Sequence, residues 1–298
     1  MAGPVRVSAV VPAYNRAATL PEALDSALAQ EGVPFEVVVV DDGSTDATPE
    51  VLARYGDRIR VHRQANAGQS AAVNRGVEMA RGDLVALLDS DDAWLPGKLA
   101  RQVPMLDSDA SAGMLYAAVD FMDAEGRAVP DPRPPRKTPS GGILGALLEG
   151  NFIRTPTVLL RRALFLEAGG YDPDLRCVND WDLWLRIATF HRVLRDPVPS
   201  ARYRLHGDQA VRLRRRLAEE RVAVLERHLP RLEHEGAPHA AKARRCLAVR
   251  CLKLARLDLR EDRRGEADRL IERAVALVPR LRLSAWRIRI AERLRRKR

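Results

Sequence analysis

Leu84-Val-Ala-Leu-Leu-Asp-Ser-Asp-Asp-Ala-Trp94 is the segment around which the rest of the chain falls into place. Leu84 to Leu88 is a short apolar run bounded by polar residues, the pattern of a strand buried in a parallel sheet. It runs straight into Asp89, Asp91 and Asp92, with Ser90 between the first two. Carboxylates this close repel one another unless a cation sits among them. Open α/β sheets bind ligands beyond the carboxyl ends of their strands. One reading of the cluster is therefore a divalent-ion site that carries phosphates. The other is a solvated acidic turn.

Working outward, Val5 to Val11 reads as a first strand and Pro12 to Asn15 as a turn. A helix follows from Leu20 to Gln30, opened by a capping box of Thr19 and Glu22 with Pro21 in the first turn. Phe35 to Val40 is a second strand that ends in Asp41 and Asp42. Helices at Pro49 to Tyr55 and Ser70 to Ala80 flank a strand at Ile59 to Arg63. Beyond the acidic segment come a helix at Pro96 to Leu106, a strand at Met114 to Met122 and a helix at Gly141 to Gly150. A strand at Thr155 to Arg161 and a helix at Arg162 to Gly169 follow. Strands alternating with helices predict a doubly wound, mostly parallel α/β sheet with flanking helices. The ends at Asp41/Asp42 and at Asp89/Asp91/Asp92 then share one edge and face one crevice, which favours the binding-site reading. Asp131 to Pro139 holds four prolines in nine residues and reads as a surface loop or hinge, a lid or an inert excursion. Trp181, Trp184, Leu185 and Ala188 have helical spacing, so both tryptophans fit a core. Asp180 sits in the first turn, where a carboxylate complements the helix dipole.

The net charge of +10 is unevenly spread. Residues 211–298 carry 27 Lys or Arg and 12 Asp or Glu, a net of +15, which leaves −5 for residues 1–210. This divides the chain into an acidic α/β body, 1–210, and a basic, all-helical extension, 211–298, with helices near 212–228, 238–259, 265–277 and 283–296. Arg264 to Ala274 resembles a tetratricopeptide-type helix, but one unit makes no array. Residues 283–298 pair Trp286, Ile290 and Leu294 with many arginines, which fits either an interfacial helix on anionic lipid or a solvated basic end. Cys177, Cys246 and Cys251 have no metal-ligand spacing and read as reduced thiols. No run is long enough to span a bilayer, and Arg6 and Ser8 break the only apolar stretch near the N-terminus. A nucleic-acid partner is not expected, because the body is acidic and aromatics do not interleave the basic residues. No G-x-G-x-x-G follows the first strand, which removes the dinucleotide-dependent oxidoreductases.

Five stretches together resemble the inverting glycosyltransferases of family 2, which have the GT-A fold. They are Val7-Ser-Ala-Val-Val-Pro-Ala-Tyr-Asn15, Val37-Val-Val-Val-Asp-Asp-Gly-Ser-Thr-Asp46, Asn66-Ala-Gly-Gln-Ser-Ala-Ala-Val-Asn-Arg-Gly76, Leu88-Asp-Ser-Asp-Asp92 and Asn179-Asp-Trp-Asp-Leu-Trp-Leu-Arg186. The resemblance covers roughly residues 5–210. It implies that Pro12, Tyr14, Asn15 and Asp42 hold the nucleotide base and ribose, with Arg16 near the diphosphate and Gly68 also at the nucleotide-sugar. Asp89-Ser90-Asp91 matches the family's D-x-D, which implies Asp89 towards the ribose and Asp91 on a Mn²⁺ or Mg²⁺ that bridges the phosphates. Asp92 is the other candidate ligand. Tyr203-Arg-Leu-His206 matches a late motif and places His206 near the diphosphate or metal. Asp180 matches the catalytic base, with Trp181 at the acceptor. The family usually has Glu-Asp where this chain has Asn179-Asp180.

The implied activity is metal-dependent, inverting transfer of a sugar from a nucleotide-diphospho-sugar, a UDP-sugar first, to a hydroxyl of a glycan or lipid-linked acceptor. Q-x-x-R-W and membrane-spanning helices are missing, so a single, non-processive transfer in bacterial cell-surface glycan synthesis is expected. The expected location is cytoplasmic, peripheral on the inner face of the plasma membrane. The alternatives are an inactive nucleotide- or carbohydrate-binding scaffold and a sugar nucleotidyltransferase, which would release pyrophosphate.

Overall fold

The computed structural model describes residues 4–132, 138–205, 213–234 and 238–295, with side chains as far as Ile288. The chain forms two compact units, one of Met1–Ile143 with Asn151–Gly207 and one of Leu144–Gly150 with Asp208–Arg298.

The first unit is built on one mixed sheet. Strands β1 (Val7–Ala13), β2 (Phe35–Asp41), β3 (Arg60–Arg63) and β4 (Leu84–Leu87) are parallel, in the order β3-β2-β1-β4. Helices α1 (Leu20–Leu28), α2 (Thr48–Ala53) and α3 (Gln69–Met79) connect them. Every residue of β1 and β4 is buried, as expected of strands covered on both faces. On α1, Leu20, Ala23, Leu24 and Ala27 recur at helical spacing and form its buried stripe. Gly76 lets α3 press onto the sheet, because a Cβ there would lie 2.4 Å from Val10 Cγ1.

Beyond β4 the pairing changes. The two-residue β5 (Ala93–Trp94) precedes α4 (Lys98–Asp107), and β6 (Ala112–Met122) pairs with a short β7 (Ala128–Val129). Helix α5 (Leu144–Glu149) belongs to the second unit. Strand β8 (Leu159–Arg161) lies antiparallel between β4 and β6 and leads into α6 (Arg162–Glu167). Helix α7 (Asn179–Phe190) then precedes β9 (Arg192–Arg204), which is parallel to β6 and antiparallel to β5.

This topology positions the site. Because β8 is antiparallel to both neighbours, β6 and β9 run in the same direction as β1, β2 and β4. The segments after β1, β2, β4, β6 and β9 therefore leave at one edge, and the residues before β8 arrive at it.

Five expectations change. Thr19 does not cap α1: its hydroxyl donates to the Ser90 carbonyl at 2.9 Å, tying α1 to the acidic turn. The first strand begins and ends two residues later than read, because Pro12 lies past the end of β4 and pairs only with β2. The helix expected over Gly141 to Gly150 is confined to α5, and a 3-10 turn at Thr155–Thr157 replaces the start of the expected strand before β8. The thirteen-residue β9 has no counterpart in the sequence reading. Pro197, Pro199 and four arginines hide its alternation, and register shifts against β6 accommodate it.

The second unit holds α8 (Arg214–His234), α9 (Ala240–Arg260), α10 (Arg264–Leu277) and α11 (Arg282–Arg295), and α9 packs against α5 and the other three. Its core includes Leu225, Leu247, Cys251, Ala255 and Ile271. Asp258 is buried there and paired with Arg215 at 2.8 Å and Arg263 at 3.0 Å.

Candidate active site

The acidic turn after β4 is tied down residue by residue. Asp92 is buried and its Oδ1 accepts the Arg204 backbone N–H at 2.8 Å, so it faces the protein. The Arg204 side chain is buried too. Its guanidinium donates to the carbonyls of Asp91 (2.8 Å), Asp123 (3.2 Å) and Ala124 (2.9 Å) and pairs with Glu22. Ser90 is likewise buried. Asp89 accepts from Gln69 Nε2 at 2.8 Å, at the start of α3. Asp91 lies 3.6 Å from an Arg16 guanidinium nitrogen.

On the neighbouring loops, Asn15 adopts φ 53°, a left-handed conformation that Asn tolerates better than most residues. Its Oδ1 accepts from the backbone N–H of Thr45 at 2.8 Å and of Asp46 at 3.3 Å, while Ser44 Oγ accepts the Asn15 N–H. Asn15 thus clamps the loop after β1 to the loop after β2, which leaves Tyr14 exposed. Asp42 is buried and accepts from Gln64 Nε2, Ala67 N and Gly68 N at 2.8–2.9 Å. Its carboxylate shapes the 64–68 loop. Gly68 has φ 91° and open space where a Cβ would stand, so a ligand can come close to its backbone. Pro12 is buried within β1.

Asp180 meets this cluster from the amino end of α7. The Trp181 N–H donates to its Oδ1 at 2.6 Å and Asn151 Nδ2 to its Oδ2 at 2.7 Å. Besides complementing the helix dipole, it therefore satisfies a backbone donor of the first turn. Arg154 stacks over the Tyr203 ring at 5.0 Å and, being close to Asp180, favours its charged form. Asn179 donates to Ser70 Oγ at 2.9 Å, so the neutral residue in place of Glu links α7 to α3. Trp181 takes the core position that its helical spacing with Trp184 allowed. At 1% exposure it is a core side chain. His206 lies outside the described residues.

The electrostatics follow from burial and crowding. Burial first, then Asp91 and Asp180, pushes Asp89 up to about 7. Burial also raises Asp180 and, with help from Asp89 and Asp91, raises Asp92 well above the ordinary carboxylate range. Such a site gains from an added cation. Among the described residues, no group of three His, Cys, Asp or Glu side chains forms a metal cage. The donor set is nevertheless one that Mg²⁺ or Mn²⁺ accepts, since these ions take one or two carboxylates and complete their shell with phosphates and water. Asp91, with Asp89 beside it, fits that requirement, whereas the inward-facing Asp92 fits it less well.

Gln69, Asn151, Arg154 and Arg204 join the site without having been singled out in the sequence. Gln69 and Arg204 lay inside motifs already quoted. Asn151 and Arg154 carried no local signal, because only the antiparallel β8 brings their segment to this edge.

The family model for glycosyl transferase family 2 matches residues 8–167, more than half of the chain. The chain belongs to this family. The matched residues span the acidic turn and the 151–157 segment. An uncharacterized glycosyltransferase of Rickettsia typhi is 29% identical over 231 residues, 76% of this chain and 72% of that protein. A second, from Rickettsia felis, is 32% identical over 209 residues, and there the match spans 68% of this chain but only 35% of the relative. The succinoglycan biosynthesis protein ExoO of Rhizobium meliloti is 45% identical over 125 residues, 41% of this chain and 36% of ExoO. Two solved structures carry the same GT-A fold. S. aureus TarS in complex with UDP-GlcNAc superposes with a TM-score of 0.65 at 20% identity, covering 97% of this chain and 88% of that one. The mannosyltransferase PcManGT of Pyrobaculum calidifontis, in complex with GDP-Man and Mn²⁺, gives a TM-score of 0.59 at 20% identity, covering 97% and 82%.

Proposed function

We infer that this family 2 glycosyltransferase is metal-dependent and inverting, and that it moves a hexosyl group from a nucleotide-diphospho-sugar, a UDP-sugar in the first instance, to an acceptor hydroxyl. The observation that carries this reading is the meeting of Asp180, on α7, with the Asp89–Asp91 turn at the carboxyl edge of the parallel strands. A base and an anion-neutralising centre facing one crevice are what a single displacement at an anomeric carbon requires. The neighbours' ligands, UDP-GlcNAc and GDP-Man, support a nucleotide-sugar donor.

In this mechanism the backbone around Asn15, Asp42 and Gly68 receives the nucleoside, and Arg16 stands beside the diphosphate. Asp91, with Asp89, would hold Mn²⁺ or Mg²⁺, which when bound supplies Lewis-acid stabilisation of the departing diphosphate. Asp180 takes the acceptor hydroxyl proton while the oxygen attacks the anomeric carbon and the bond to the nucleoside diphosphate breaks. Its raised proton affinity suits a base that must hold that proton. Asn151 and the Trp181 N–H fix the carboxylate so that it is aimed before the acceptor arrives. One displacement inverts the centre, giving a β-glycoside from an α-linked donor. The acceptor is proposed to be a glycan or lipid-linked glycan of a bacterial envelope, a role that the ExoO relative supports.

Thermal stability with UDP, GDP and dTDP, each with Mn²⁺ or with EDTA, tests the donor site. A metal-dependent shift with one nucleotide, lost in Asp91→Ala, is expected. Incubation with the matching sugar nucleotide should then release the nucleoside diphosphate. Release of pyrophosphate instead would identify a nucleotidyltransferase, and no shift with any of the three nucleotides would point to an inactive scaffold or an unusual donor.

A further inference from the structure

The second unit ends in a helix with two unlike faces. On α11, Ala285 and Ile288 are buried among the helices of that unit. Leu283 and Trp286, one turn apart, point the other way and are 70% and 61% exposed. Trp94, Trp181 and Trp184 are all buried, so Trp286 is the one tryptophan that the fold leaves in water. Arg280, Arg282 and Arg287, within six residues of it in the chain, are exposed as well. In sequence, Ile290 and Leu294 continue the spacing of Trp286, and residues 280–298 hold nine Lys or Arg against one Glu.

We propose that the Leu283/Trp286 face of α11 docks this protein on the surface of an anionic phospholipid bilayer. Charge chooses the occupant. A second copy of the same face would set arginines against arginines, which Coulomb repulsion opposes. A nucleic acid would neutralise the charge but would give the aliphatic Leu283 nothing to fill. An anionic lipid surface satisfies both halves of the pattern. Its headgroups balance the arginines, while the indole and the leucine enter the boundary between headgroups and acyl chains, where amphipathic basic helices lie. The helix would rest in the plane of the surface. No described helix is long and apolar enough to cross a membrane.

The buried state of the other tryptophans makes the test specific. The full chain would be mixed with vesicles of phosphatidylcholine alone or with added phosphatidylglycerol, some carrying brominated acyl chains. Expected are co-sedimentation with the phosphatidylglycerol vesicles that weakens as salt rises, and quenching by brominated chains that disappears in Trp286→Phe. Arg287→Gln should weaken binding roughly fivefold, the effect of one basic residue at such a surface. Leu283→Ser with Trp286→Ser should abolish the acyl-chain contact, and circular dichroism and retained nucleotide binding would show that the variant is folded. No sedimentation at low salt would overturn the proposal. So would sedimentation without quenching, or binding to single-stranded RNA as tight as to vesicles.

Discussion

At Asp180 the fold holds a carboxylate against the cost of burial with two donors, the Trp181 N–H and Asn151 Nδ2. On the proposed mechanism Asp180→Asn keeps the shape and removes the base, so kcat should fall about 10²–10⁴-fold. Nucleotide-induced stabilisation should be unchanged, as measured by thermal shift. Because burial raises its pKa, the charged base is lost as pH falls, and kcat/KM should show an acid limb above the ordinary carboxylate range. Asn151→Ala removes one donor to the charged form, so that limb should move to higher pH in a pH–rate profile. A second buried group affects stability alone. The Lys98 ammonium is enclosed, donating to Gln102 Oε1 at 2.6 Å and to the Thr157 and Val158 carbonyls, yet burial pulls it from 10.5 to about 7. Between those values the unfolded chain binds the extra proton, so this group's contribution to stability rises with pH across that window. Its penalty is full below about 7 and gone above 10.5. Lys98→Met should flatten that slope in urea midpoints measured at the two ends of the window.

Elements are held at this edge by a few close approaches and by one buried arginine. Helix α3 carries Gln69 to Asp89 and reaches the sheet because residue 76 is glycine. Gly76→Ala forces Val10 or the helix to give way and should cost about 1–3 kcal/mol, read from a denaturant midpoint. Strand β9 connects to the acidic turn through Arg204, whose N–H holds Asp92 while its guanidinium holds the Asp91 carbonyl and Glu22. Arg204→Met leaves the part-buried carbonyls of Asp91, Asp123 and Ala124 without these donors. It should cost about 1–3 kcal/mol in a denaturant midpoint and raise the metal concentration needed for half-maximal activity, because the turn bearing Asp91 loses its anchor. These two ties differ in how visible they were. The α3 contact lies in a stretch already quoted for its family resemblance. The β9 contact depends on a strand that Pro197 and Pro199 disguise.

For the whole molecule, two units with separate cores predict two calorimetric transitions. The donor crevice is formed by first-unit residues, so a nucleotide–metal pair should raise only the transition of that unit. At a concentration of 100 times Kd the added stability is about 2.7 kcal/mol. In Asp91→Ala both transitions should remain and the shift should vanish. One transition that moves as a whole would instead mean that the two units unfold together.

By itself the sequence determined the parallel half of the sheet, the two carboxylate-terminated strands and the difference in charge between an acidic body and a basic helical end. These are legible because burial on both faces leaves unbroken apolar runs, and because charge composition needs no geometry. Only the tertiary structure decided that β8 reverses direction and so delivers Asn151 and Arg154 to Asp180. It also decided that Asp92 and Trp181 face inwards, that Thr19 serves the acidic turn rather than its own helix, and that Trp286 stays in water. Each of those outcomes depends on which distant segment lies opposite a side chain, and local periodicity carries no record of that.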